Sequence, residues 1–155
     1  MPLDYSPDGT QIVFYRSVGV DPDPQIGGSL WVVKRDGSAL HRIVARSSMP
    51  SAWARWSPDG SSKVFAAQRT ASEGFIRSLR PDGSGNKTLF QGSAGRFPIQ
   101  PVWSPDGLRV LFCLDPSNDQ FKHPDNALYV MNRDGSGLKA IFDPQGYASM
   151  PKWTP

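Results

Sequence analysis

One short phrase recurs along this chain at a nearly constant interval. It reads YSPDG at 5–9, WSPDG at 56–60 and again at 103–107, with a stub, WTP, at 153–155. Its opening aromatic is Tyr5, Trp56, Trp103 and Trp153, a period of about 50 residues. A second phrase keeps step: RDGS at 35–38, PDGS at 81–84 and RDGS at 133–136. The offsets around both are rigid. Six residues beyond the Asp of the first phrase stands Phe14, Phe65 or Phe112; seven beyond the Asp of the second stands Ile43, Leu89 or Ile141. A period of this size marks a repeat architecture, and it constrains the fold more than any local propensity.

Each repeat reads as four short strands. One leads into the aromatic (PVW at 101–103, PKW at 151–153). A second follows SPDG (QIVFY, SKVFA, RVLFC), a third precedes the second phrase (LWVVK, IRSLR, LYVMN) and a fourth follows it (LHRIV, NKTLF, LKAIF). The middle strands of repeats one and three are nearly continuous apolar runs, as expected of a sheet covered on both faces. Repeat two departs: IRSLR carries polar residues where the others have WVV and YVM, which predicts either a looser unit or a different neighbour at that position. In S-P-D-G, Pro presets φ for the first corner of a type I turn. Asp takes the second corner, and Gly supplies the left-handed residue that closes a three-residue hairpin loop. Pro81 at the matching corner of the second phrase implies the same turn there. These Asp and Gly residues are therefore read as turn chemistry.

Tandem four-stranded antiparallel units of this length predict an all-β fold, a β-propeller. The expectation is one partial propeller domain over 1–155. Its blades run over about 1–45, 52–91 and 100–143, with an extra strand opening a fourth at about 148–155. WSPDG, the Phe strand, LYVMNRDGSG and LKAIF resemble the WD-repeat-like propeller of TolB-type proteins. The same repeat is similar to those of surface proteins, kinase extracellular domains and oligopeptidase propellers. Propellers have about 4–8 blades, so three blades imply part of a six- or seven-bladed ring. Three arrangements stay open: a piece of a longer propeller, two copies completing a six-bladed ring as a homodimer, or an open arc.

Composition narrows the function classes. The net charge is +3, and the 17 Lys and Arg are scattered without a run of three, which does not make a nucleic-acid footprint. No apolar stretch approaches the ~20 residues of a membrane-spanning helix, and the first residues do not read as an export leader. The single cysteine, Cys113, lies in the apolar run VLFCL and reads as a small core residue. His41 and His123 have no partners at zinc-ligand spacing. The segment from Asp115 spaces oxygens as a calcium loop would, but Gln120 stands where that loop needs Gly and Asn126 where it needs Glu. QGSAG at 91–95 fails as a nucleophile elbow, because Gln91 takes the place of the first glycine. No catalytic residue, metal or cofactor is expected.

Function is therefore expected at the loops. The turns built from the two phrases lie at one end of each blade and are short. Those at the other end are long and variable: 17–29, 70–74, 91–100 and 115–126. Binding residues concentrate on loops carried by a rigid frame. The candidates for contact with a protein partner are Asp21, Asp23, Arg96, Phe97, Phe121, His123 and Tyr147, around the channel mouth. The resemblance to TolB implies a non-catalytic docking module of the bacterial periplasm or cell envelope. The alternative is the gating propeller of a prolyl-oligopeptidase-like serine hydrolase whose catalytic domain lies elsewhere.

Overall fold

A computed structural model describes residues 4–16, 29–44, 51–70, 73–93, 96–115, 127–142 and 151–153. They form three four-stranded antiparallel sheets, each a simple meander. The first blade holds β1 (Asp4–Tyr5), β2 (Gln11–Arg16), β3 (Ser29–Lys34) and β4 (His41–Val44). The second holds β5 (Ser51–Trp56), β6 (Lys63–Thr70), β7 (Glu73–Leu79) and β8 (Lys87–Gln91). The third holds β9 (Phe97–Trp103), β10 (Arg109–Asp115), β11 (Ala127–Asn132) and β12 (Lys139–Phe142). Residues 151–153 join no ladder, having no strand beside them among the described residues. Trp153 instead lies under the Arg109 guanidinium, 5.3 Å from its ring centre.

The turn chemistry is as the phrases predict. In SPDG the Gly amide donates to the Ser carbonyl in all three copies, at 2.8–2.9 Å, and each Gly has φ of 68–69°. The Ser hydroxyl donates to the Asp carboxylate at 2.5 Å in every copy. That carboxylate also takes the amide two residues on: Thr10, Ser61 or Leu108. The Ser hydroxyl, foremost, holds Asp8 and Asp106 below the ordinary carboxylate range. The second phrase repeats the geometry, with Gly37, Gly83 and Gly135 at φ of 85–94°. Proline stands at the corner in one copy and arginine in two without altering the turn.

The core lies between blades, not within them. Val13, Leu30, Val32 and Ile43 of the first blade meet Ala54, Trp56, Phe65, Ala67 and Leu79 of the second. Val64, Ala66, Ile76 and Leu89 on the second blade's other face meet Trp103, Val110, Phe112 and Met131 of the third. Adjacent residues of β6 thus serve opposite cores, which explains its unbroken apolar run. Phe65 and Phe112, the recurrent Phe of repeats two and three, each face the preceding blade. Cys113 is fully buried.

The second blade is not looser than the others, as IRSLR suggested. Phe75, Ile76 and Leu79 of β7 are 6%, 0% and 2% exposed. Being in the middle, this blade is covered on both faces, and burial there does not depend on the composition of one strand.

Each tryptophan that opens SPDG carries a cation on its face, drawn from a different position. Lys63 Nζ sits 3.6 Å from the Trp56 ring centre, and Arg133 covers Trp103 at 5.3 Å. Arg133 comes from the second phrase of its own repeat. Repeat two has Pro81 at that place, and Lys63 replaces the Ile12 and Val110 of the other repeats. Lys63 is fully buried, with Nζ donating to Pro81 O at 2.9 Å.

Burial pulls the Lys63 ammonium down to about 8 from its ordinary 10.5, partly opposed by Asp82. The unfolded chain therefore binds more protons than the folded one between pH 8 and 10.5. The burial penalty is complete below pH 8 and is relieved as pH rises through that window. Lys63→Met, which keeps an apolar stem against Trp56, should abolish this rise in stability. Unfolding midpoints of both proteins across the window check it; parallel curves would show that Lys63 does not titrate there.

Candidate functional site

The first strands of successive blades lie against one another, β1 on β5 and β5 on β9, and so face the propeller axis. Each of the two long ones is interrupted at the same place. Ala52 pairs with Ala66 and Arg55 with Val64, so Trp53 and Ala54 together oppose Phe65. Likewise Gln100 and Pro101 together oppose Phe112. These are β-bulges, two residues against one. Trp53 has φ 52° and Gln100 φ 53°, left-handed conformations that side chains other than glycine adopt at a cost.

Both side chains line a groove of about 530 Å3 along the axis-facing wall, Trp53 also packing against the core between blades two and three. Pro101, Val102 and Pro151 supply its apolar surface, and Arg55 and Lys152 its charge. The residue before the aromatic is Asp4, Arg55, Val102 and Lys152 in successive repeats. Asp4 accepts from the Trp56 amide at 2.7 Å across the first joint. Burial raises its carboxyl above the ordinary range, against the Trp56 bond and the Arg55 charge. A surface of this kind, an aromatic, an amide and two cations on apolar walls, suits an extended ligand with an anionic group. Among the described residues no three His, Cys, Asp or Glu side chains gather as a metal site would need.

The loop-face candidates are placed unevenly. Arg96 is exposed at the start of β9, its amide bonded to Ser93 O at 2.9 Å. Phe97, expected at the rim, is only 6% exposed. Its ring packs on Gly74 of β7, where an added Cβ would come within 3.1 Å of Phe97 and 2.8 Å of Pro98. It therefore wedges blades two and three together at the loop end. Asp21, Asp23, Phe121, His123 and Tyr147 lie outside the described residues. Trp53 and Gln100 were not legible as site residues: no glycine marks either bulge, and the one signal is their shared position three before the aromatic.

No family model matches the chain. It is similar to protein Atu1656 of Agrobacterium fabrum, 32% identical over 106 residues, which is 64% of this chain and 35% of that one. It is 28% identical over 110 residues to the uncharacterized peptidase YuxL of Bacillus subtilis, covering 69% of this chain and 16% of YuxL. Among solved structures, the putative TolB from Agrobacterium tumefaciens superposes with a TM-score of 0.72 at 25% identity, over 94% of this chain and 51% of that one. TolB from Acinetobacter baumannii gives 0.68 at 20% identity, over 91% and 32%. Puromycin hydrolase gives 0.68 at 18%, over 90% and 22%. The fold is thus that of a TolB-like β-propeller, shared with the propellers of peptidases. The chain spans about a third of the first curated relative and half of the first solved structure.

Proposed function

We propose that this chain is a non-catalytic docking propeller of TolB type, which receives a protein partner over its loop end and axis-facing groove. The observation that carries this reading is the pair of strained bulges. Trp53 and Gln100 keep left-handed backbones at the same place in two repeats, and both line the groove. Strain of this kind gathers where a surface is shaped for a ligand. The likeness of fold to two TolB structures supports it, and an envelope location is part of the same proposal. A second reading is favoured by the similarity to YuxL and puromycin hydrolase: the same groove would then gate substrate on its way to a separate hydrolase domain.

A photo-reactive residue placed at Gln100 or Arg96, in the cells that make the protein, tests the first reading. A defined protein adduct is expected there and not from Ser84 on the opposite turn face, and Trp53→Ala should remove it. Equal labelling from both faces would refute the docking surface. Labelled peptides cleaved by the whole protein would establish the hydrolase reading instead.

A further inference from the structure

Besides the groove, Trp53 lines a smaller cavity of about 150 Å3 at the loop end, between blades two and three. Ala66 of β6, Gly74 of β7 and Phe97, Pro98 and Ile99 of β9 form its apolar wall, and Gln68 adds an amide. The two blades that enclose it are the ones packed through Val64, Ile76, Phe112 and Met131. The cavity is therefore a gap left inside a closed joint, and every residue lining it belongs to these two blades. Packed interiors keep few voids larger than a water molecule. An apolar cavity of this size stays dry and takes a benzene-sized group.

Two small residues shape it. Ala66 stands where the other repeats have Tyr15 and Cys113, so β6 fills less of the joint there. Gly74 lets β9 come close: a Cβ on it would fall 2.8 Å from Pro98 Cδ and 3.3 Å from Phe97 Cα. The cavity adjoins the groove along β9. Phe97, Pro98 and Ile99 line the one, and Gln100, Pro101 and Val102 the other. Arg55 and Lys152 share the repeat position of Val102, so the cations of the groove stand level with it. Pro98 and Val102 pair with Leu114 and Leu111, three steps apart on β10. That separation is about 10 Å, or three residues of an extended chain. Arg96, exposed beside Phe97, adds a third cation. No Asp or Glu lines either cavity among the described residues. Asp4, the carboxylate that Arg55 feels, is taken up by the Trp56 amide.

We propose that this cavity is the anchor pocket of the docking groove. It receives one apolar side chain of an extended segment of the protein partner, while an acidic side chain about three residues away lies on Arg55 and Lys152. This rests on the docking reading above and adds what the partner must carry. Charge complementarity sets the acid. The cavity volume sets the anchor: leucine, methionine or phenylalanine fits, and tryptophan does not. Fully desolvated pockets are where the anchors of protein interfaces sit. Trp53 is the wall common to both subsites, held there by its left-handed backbone.

A display library of short random peptides, selected on the immobilised whole protein, tests this. Enriched peptides should carry Leu, Met or Phe at that spacing from Asp or Glu. Ile99→Ala enlarges the pocket and should shift the selected anchor to Trp. Ala66→Val narrows it and should shift the anchor to Val or Ala. The acidic position should persist in both selections. A peptide chosen by the wild type should bind Ala66→Val about tenfold more weakly. Arg55→Gln combined with Lys152→Gln should remove the acidic position and keep the anchor. The proposal fails if the pocket variants select the same anchors as the wild type. It fails equally if the enriched peptides carry an acid with no apolar position, or if no peptide is enriched. The docking reading is judged separately, by the adduct from Gln100: an adduct without any anchor preference would keep the groove and refute the pocket.

Discussion

Gly135→Ala should destabilise the protein by about 3 kcal/mol, while the same change at Gly37 costs only about 1 kcal/mol. The expected difference comes from position, since both glycines follow Arg-Asp in the same turn. Each has φ in the left-handed region, 94° and 85°, where a Cβ costs roughly 1–2 kcal/mol. At Gly135 the Cβ would also lie 2.5 Å from Leu89 O and 3.1 Å from Leu89 Cα. These are backbone atoms of the neighbouring blade and cannot rotate away, so overpacking adds roughly 1–3 kcal/mol. Gly83, set against Ile43, should behave as Gly135 does. Urea midpoints of the three alanine variants decide it. Equal losses at all three positions would mean that the turn, and not the joint, sets the cost.

The second large effect is expected at the recurrent phenylalanine. Phe65→Ala and Phe112→Ala should each cost about 4 kcal/mol, the usual range for emptying an aromatic place in a core. Both rings are fully enclosed, at 1% and 0% exposed, and Phe112 also packs on Phe90 and Tyr129 with centroids 5.0 and 5.8 Å away. Phe14 occupies the same place in the first repeat but is only half-buried, with no sheet packed on that face among the described residues. Its replacement should cost about half as much. A full-sized loss at Phe14 would contradict the assigned face.

Much of this architecture could be read from the residues, because the signals are local and recur. SPDG encodes a turn through Pro, Asp and Gly, and the hydroxyl–carboxylate bond at 2.5 Å adds only the reason for its Ser. The Phe and aliphatic offsets mark opposite faces of each blade. What escaped depends on contacts that no local signal announces. Arg133 looks like a surface arginine until Asp59, 74 positions earlier, comes beside it. Phe97 reads as a loop aromatic until Gly74 leaves it a seat. Lys63 reads as a solvent-facing lysine in a strand, because nothing local says that the ring of Trp56 lacks an arginine. The bulges at Trp53 and Gln100 escaped for the opposite reason. A left-handed backbone is usually announced by glycine, and here the register opposite Phe65 and Phe112 imposes it without one.

The shifting source of the cation over each tryptophan has a consequence for how such repeats diverge. A requirement met by any of several neighbouring positions is degenerate. Lys63 can serve Trp56 so that Pro81 is free to be proline, and Arg109 can reach forward to Trp153. Copies of the unit can therefore drift apart letter by letter while the electrostatic surroundings of the indole stay the same. Comparing them column by column would count the Arg133–Pro81 difference as a loss, when the function lost at one column has been taken up at another.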